Sequence, residues 1–480
     1  MTTVYFVNCG AEEEGPAEDG AAYEVVSVAG APALLREMFR ARLGSERDYE
    51  GEISIVVYDD REQELSVEQL QELVQSFMPC LNIAVTGTEG WRATVRAALE
   101  AAAGSGGATG SRYWMYAEGA GEHSRCSVKM YSMAKHLSSL GDTQEEKSNE
   151  YREYLMRHVN PSDLVAVPHD DSHYWSLLDT WSFNAHALGI VELIWCAKLV
   201  ISKLCAAAAT ACPEPAGIIL LLLHLECSYH QRNKFHNFRH AVDVMQATYQ
   251  LCDLLKLDPS ISLTLCISAI GHDVAHPGTN NALMCKYGSP VAKHYDGVSV
   301  LENFHNDIFI SILGQHWPEF SGVMQRQAIR DAIISTDMAL HEQYLSKLRA
   351  CGTRSLREDI PLLTSLIIKA ADISNVSRPL IISAQWAVLI SYEFDHCTFL
   401  ENRLKDKSSS EGESTMEELD KVPDSIDEIV SKFPGIPGGQ LFFITTFVEG
   451  LFAGLAEKFR ELKFLSDNVQ SNKNFWLQLV

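Results

Sequence analysis

Basic charge is scarce in this chain. Its 480 residues hold 39 Lys and Arg against 63 Asp and Glu, a formal net charge of −24. That balance argues against nucleic acid, whose phosphates demand a basic footprint, and against an anionic membrane surface. Paired cysteine spacing is lacking too. None of the 12 cysteines stands in a C-x-x-C arrangement, and no basic and apolar signal segment opens the sequence. The thiols are therefore expected to be reduced, mostly buried groups of a cytoplasmic protein that could also enter the nucleus. Two apolar stretches fall short of a membrane span. Gly217 to Leu223 stops at His224, and Ala187 to Ala209 is broken by Glu192, Lys198 and Lys203. A bilayer needs about 20 consecutive apolar residues, so both stretches are expected to be buried helices, without membrane insertion.

What is present divides near residue 100. The length allows about two to four domains. The first part alternates β-like runs, Val4 to Val7, Tyr23 to Val28, Ile53 to Tyr58 and Asn82 to Val85, with helical patterns at Ala33 to Leu43 and Ser66 to Phe77. Interleaved strands and helices predict a small α/β domain with a parallel sheet over residues 1–100. It is of the size of a receiver domain, and Asp59-Asp60 follow a strand as a phosphoacceptor would. Acidic residues after a strand are more often turn formers, however, and no acidic pair follows the first strand immediately. The module is read as structural or regulatory, its partner unknown. Residues 101–148 contain Ala103-Gly-Ser-Gly-Gly-Ala-Thr-Gly110, a flexible linker by composition. From 149 to 480 helix-period apolar runs dominate, predicting an all-α domain. Ser408 to Thr415 reads as a solvated loop whose serines could be phosphorylated.

Within the helical part, histidines and carboxylates gather in three stretches: His236-Asn-Phe-Arg-His240, His272-Asp273, and Asp372 in the run Lys369-Ala-Ala-Asp-Ile-Ser-Asn375. Imidazole and carboxylate together suit zinc and harder divalent ions, and one carboxylate can bridge two of them. If helical, His236 and His240 share a face about one turn apart, so one ring could bind metal while the other faces substrate. His272-Asp273 precede His276-Pro277-Gly278, a helix-stopping sequence, so the pair sits near a helix end. Asp372 lies in an otherwise largely apolar helical run, where a carboxylate is costly to bury without a cation. Singly, each histidine reads as a hydrogen-bonded core residue. Jointly and in this order they suggest a metal-dependent phosphohydrolase of the broad HD class.

Longer runs sharpen that reading. Ser228 to Val244, Gly271 to Asn281, Leu301-Glu-Asn-Phe-His305, Ser335-Thr-Asp-Met338 and Gly439-Gln-Leu-Phe-Phe443 resemble the class I 3′,5′-cyclic nucleotide phosphodiesterases, and within them the fungal high-affinity cAMP enzymes. The resemblance covers roughly residues 150 to 480 and implies an all-helical catalytic domain. It implies that His240, His272, Asp273 and Asp372 bind a tight metal, Zn2+, with Asp273 also bridging to a second ion, Mg2+ or Mn2+. His236 matches the general acid that protonates the departing O3′. Glu302, Thr336 and His276 match outer-shell groups around the ions. Gln440 matches the amide that reads the purine edge, Phe443 the ring that stacks on the base, and Asn375 and Asn281 polar groups of the pocket wall. Glu393 resembles an acid of the same pocket. Two positions depart from the commonest animal pattern: Phe235 stands where many relatives have Tyr, and Ala275 where many have Asp.

The implied reaction is hydrolysis of cAMP to 5′-AMP, restraining a cAMP-dependent kinase pathway. A cyclic phosphodiester is anionic and gains charge during hydrolysis, so two cations would neutralise it while a bridging hydroxide attacks in line. A carboxylate near His236 would hold it protonated, but the sequence does not identify which one. Two alternatives stay open: a phosphohydrolase of non-cyclic nucleotides, for which the Gln440 and Phe443 pair and the Glu302 and Thr336 motifs are superfluous, and a non-enzymatic cyclic-nucleotide sensor.

Overall fold

Four short strands, β1 (Thr2–Val7), β2 (Glu24–Val28), β3 (Ile53–Tyr58) and β4 (Asn82–Gly87), form a sheet in the order β2-β1-β3-β4. Every pairing is parallel, with Val4 beside Val25 and Ile55, and Ile55 beside Ala84. The computed structural model describes residues 2–9, 24–44, 53–61, 63–80, 82–88, 91–93, 145–405 and 422–480. The Ala103 to Gly110 linker and the Ser408 to Thr415 loop lie outside the described residues. The two central strands are apolar on both faces because both faces are covered. Tyr5, Val7, Val56 and Tyr58 face one way into the main core, while Val4, Phe6, Ile55 and Val57 face the other way onto Trp91. Parallel strands need crossovers, and among the described residues α1 (Ala31–Leu43) leads from β2 to β3 and α2 (Val67–Phe77) from β3 to β4. α2 starts at a capping box, Ser66 and Gln69 each accepting a hydrogen bond from the other's backbone N–H.

The rest of the described chain is helical. Helices begin where the sequence places proline in the first turn or a capping side chain before it: Pro215–Ser228, Pro259–Gly271 after Asp258, Phe238–Leu254 after Asn237, and Ile360–Asp372 after Asp359. Pro215–Ser228 is buried from Gly217 to its end, as its apolar run Ile218 to Leu223 requires, and its buried His224 and Glu226 find polar partners. Ile190–Ala208 buries Leu193, Ile194, Ala197 and Ile201. Ile436–Lys458 is long and apolar enough by composition to cross a membrane, with 33% of its apolar window buried inside the protein, and its Ile444, Val448, Leu451, Phe452 and Leu455 are among the buried residues.

One apolar cluster runs without a break from Tyr5 to Trp476, so the sheet, α1 and α2 share their core with the helices. Phe77 of α2 stacks on His224 with ring centroids 4.6 Å apart, and His224 Nε2 meets the Ser76 carbonyl at 3.0 Å. The Arg42 guanidinium pairs with the Glu226 carboxylate at 2.9 Å, both side chains at most 2% exposed. Asp59, considered above as a phosphoacceptor, accepts hydrogen bonds from the backbone and guanidinium of Arg61, the behaviour of a turn former.

Candidate active site

Three helix ends converge on the His/Asp cluster. His240 stands in the first turn of Phe238–Leu254, His272 caps the C-terminus of Pro259–Gly271 with Asp273 next to it, and Asp372 is the last residue of Ile360–Asp372. The sequence placed Asp372 inside a helical run; the helix in fact ends there, which frees its carboxylate to turn inward. His236 also departs from expectation. It precedes the Asn237 cap, so it is not on a helix face with His240, and its ring centroid lies 6.0 Å from that of His240.

The ligand atoms of His240, His272, Asp273 and Asp372 all lie within 4.8 Å of one another. His240 Nε2 and His272 Nε2 approach Asp372 Oδ1 at 3.1 and 3.2 Å, and His272 Nε2 approaches Asp273 Oδ2 at 3.1 Å. His272 Nδ1 donates to the Ala269 carbonyl at 2.8 Å, which turns Nε2 toward the carboxylates, so a metal held there would take the place of the Nε2 proton. Burial opposes the charge on each group. Even so, Asp273 and Asp372 hold His272 well above the usual imidazole range, and the histidines hold both carboxylates well below theirs. Two imidazoles and two carboxylates so arranged fit a divalent ion.

Close packing sets this geometry. Gly271 precedes His272, and a Cβ there would come within 2.2 Å of the Phe309 ring. Gly271→Ala is expected to displace Phe309 or the end of the helix, lowering both metal affinity and the thermal midpoint; unchanged metal titration would show that the helix end adapts. Ala275 sits in the left-handed region at φ 60° within the turn that follows, a conformation in which Asp or Asn is better tolerated than Ala.

The carboxylate that the sequence left unidentified is Glu393. Its Oε2 meets His236 Nδ1 at 2.6 Å, while its Oε1 accepts the backbone N–H of Phe235 at 2.7 Å and of His236 at 2.9 Å. Burial lowers the His236 pKa, but Glu393 outweighs it and the imidazole is pushed up to about 9. Since it lies above the unfolded value of about 6.5, the contribution of the His236 charge to stability is fully present below pH 6.5 and is lost as pH rises through about 9, while Glu393, which burial would raise but His236 holds below the usual carboxylate range, limits the pair on the acid side. His276 stacks on His236 with centroids 4.1 Å apart and accepts from Gly278 N through Nδ1.

On the other side of the cluster, Glu302 accepts a hydrogen bond from Asn281 Nδ2 at 2.9 Å. Burial first, then Asp337, raises its carboxyl to about 7. Asn281 Oδ1 also accepts from Leu301 N, so this residue serves Glu302 and is not among those lining the base-sized cavity, the pocket wall to which the sequence assigned it. Thr336 ends the helix Val323–Ser335 and donates to the Ile333 carbonyl, leaving its oxygen lone pairs available. The sequence reading missed Lys369. It is 1% exposed, and its Nζ donates to the Ser335 and Asp337 carbonyls at 3.0 and 3.1 Å. Burial lowers its pKa to about 8. A lysine one turn before Asp372 in an apolar helix was the available signal.

Beside His236 opens a cavity of about 450 Å3 lined by Phe235, Asn375, Trp386, Ile390, Gln440 and Phe443, among others. Trp386, Ile390 and Glu393 recur at i, i+4 and i+7 on the helix Leu380–Lys405, one face that supplies both the pocket wall and the histidine's partner. Among the described residues the buried Gln440 side-chain oxygen finds no hydrogen-bond partner. Phe235 packs its ring 4.5 Å from that of His240.

A helical body that sets a His/Asp cluster able to hold a divalent ion beside a His–carboxylate pair and an apolar cleft has the parts of a metal-assisted hydrolase. The model of the 3′5′-cyclic nucleotide phosphodiesterase family matches residues 235–469. The chain is 40% identical over 475 residues to 3′,5′-cyclic-nucleotide phosphodiesterase 2 of Saccharomyces cerevisiae, covering 90% of this chain and 89% of that protein. The crystal structure of yeast caPDE2 superposes with a TM-score of 0.83 at 24% identity, covering 100% of this chain and 99% of that one. The phosphodiesterase domain of the RhoPDE fusion protein from the choanoflagellate Salpingoeca rosetta gives 0.54 at 24% identity, over 66% of this chain and 98% of that one. The chain belongs to the class I 3′,5′-cyclic nucleotide phosphodiesterase family and is an enzyme of that activity.

Proposed function

We propose that this enzyme hydrolyses cAMP to 5′-AMP with two divalent ions, and so restrains signalling through a cAMP-dependent kinase. The observation that carries the reading is the convergence of His240, His272, Asp273 and Asp372 within 4.8 Å, beside a His236 held by Glu393 at 2.6 Å. His240, His272, Asp273 and Asp372 would hold Zn2+, and Asp273, with Glu302, Thr336 and His276 as outer groups, would help hold a second ion, Mg2+ or Mn2+. When bound, the ions supply positive charge against the phosphate and make water acidic enough to act as a nucleophile near neutral pH.

The chain's own groups do the rest. His236, protonated below about pH 9, gives its proton to the O3′ leaving group, and Glu393 fixes the ring and favours its charged form. Phe443 and the opposing cavity wall sandwich the purine. Gln440, with its unpartnered oxygen, pairs with the base edge, and an amide can present donor and acceptor in either order. Asn375 lines the same cavity and offers a further polar contact. The protein's net charge of −24 repels an anionic substrate at long range, so the local cations must dominate. We place the enzyme in the cytoplasm, extending to the nucleus. The strand order of the α/β part follows the doubly wound pattern of receiver-type folds, and we assign that part a structural or regulatory role.

Incubating the enzyme with Mg2+ and equimolar cAMP and cGMP, with chromatography of both products, tests the reading. 5′-AMP is expected well ahead of 5′-GMP, and equal rates would withdraw the base preference. Gln440→Ala is expected to raise KM for cAMP about 10- to 100-fold by removing a buried hydrogen-bonding partner; an unchanged KM would take Gln440 out of base recognition. Glu393→Gln removes the charge that raises the His236 pKa, so the alkaline limb of the kcat profile should move to lower pH by on the order of one to two units. An unmoved limb would assign the titration to another group.

A further inference from the structure

We infer that Arg42, from the α/β part, is a positioning residue for the catalytic centre. Its guanidinium lies at the C-terminal end of the helix Pro215–Ser228, where backbone carbonyls have no partner within the helix and the dipole favours a cation. Nη2 donates to the Glu226 carbonyl at 2.8 Å and to the Tyr229 carbonyl at 2.7 Å, and Nε donates to the Glu226 carboxylate. The return contact comes from Gln231 Nε2, which donates to the Arg42 carbonyl at 3.0 Å and to Glu226 Oε1 at 3.2 Å. Cys80, also from the α/β part, donates to the Ser228 carbonyl. Residues 226–231 are thus held from outside the helical body, at sequence separations of up to 189 residues.

Those residues lead directly into the site. Tyr229, 1% exposed, donates through its phenol to the Ile270 carbonyl at 3.0 Å and accepts from Asp273 N. Asn233 donates to the carbonyls of His236 at 2.8 Å and His276 at 2.7 Å. Arg42 therefore fixes the backbone at Tyr229, whose side chain ties down the turn bearing His272 and Asp273, and it sets the start of the segment that ends in His236. The inference rests on the proposed roles of Asp273 and His236. A lysine could not replace the guanidinium fork, because a compact ammonium does not match a carboxylate and two carbonyls in fixed directions.

The test uses the full chain in four variants, with metal content, thermal midpoint, kcat and KM for cAMP measured on each. Arg42→Met with Glu226→Leu removes both buried charges, which spares the fold an unpaired carboxylate, and leaves the two carbonyls without their donor. Tyr229→Phe keeps the ion pair and removes only the phenol link. Both are expected to lower kcat about 10- to 100-fold with KM within about twofold, the signature of misplaced reacting groups. Their combination should be non-additive, as for residues in one chain of contacts. Normal kcat in Tyr229→Phe, or in a folded Arg42→Met/Glu226→Leu variant, overturns the inference and leaves Arg42 a structural ion pair. His236→Ala is the control: if it alone retains turnover, the underlying assignment of the acid is what fails.

Discussion

Asp372→Ala is expected to purify without its tight metal and to turn over cAMP slower by on the order of 10³-fold or more, since a bound ion supplies several kcal/mol of transition-state stabilisation. Asp372 Oδ1 lies 3.1 Å from His240 Nε2 and 3.2 Å from His272 Nε2, so its loss removes the carboxylate that reaches both rings most evenly, Asp273 Oδ2 lying 3.7 and 3.1 Å from the same two atoms. The two imidazoles and Asp273 that remain form an incomplete set, with a more open coordination sphere. Metal analysis of the purified variant alongside kcat at saturating Mg2+ checks this. Retained tight metal with normal kcat would remove Asp372 from the ligand set. Asp372→Asn adds a finer reading, because an amide keeps the shape and loses the charge: weakened metal in Asn and none in Ala would mark the charge as part of the binding.

His236→Ala should do something different, keeping its metal and losing about 10² to 10⁴-fold in kcat, the usual contribution of a positioned acid. Its ring contacts Glu393 and stacks on His276 but belongs to a ligand group separate from the four that form the main cluster, so metal content should be near normal. The loss should shrink for a phosphodiester whose leaving group is p-nitrophenolate, which needs no proton to depart. A variant equally impaired on both substrates would show that His236 positions or binds rather than protonates. Near-normal turnover of cAMP would end the acid assignment altogether.

Much of the fold was legible because it is written locally. Ile53 to Tyr58 and Asn82 onward read as strands, and Ser66 to Phe77 as a helix, from runs a few residues long that encode periodicity and capping. Their parallel arrangement followed from the alternation of strand and helix. Ligand chemistry was legible too, since His240, His272, Asp273 and Asp372 sit in short motifs whose residue types suit a divalent ion. Reading His236 and His240 as a helical pair failed for a local reason: Asn237 caps the helix, so His236 belongs to the preceding loop.

By itself the sequence determined the element types, the family and the residue types available for metal, acid and base recognition. Tertiary structure alone decided which groups meet. Glu393 reaches His236 across 157 residues, Asn281 turns to Glu302 instead of the base cavity, Lys369 is buried against the Ser335 and Asp337 carbonyls, and Arg42 caps a helix 184 residues away. The physical reason is that periodicity and capping act within a turn or two of chain, whereas burial, charge pairing and pKa depend on neighbours that only close packing brings together.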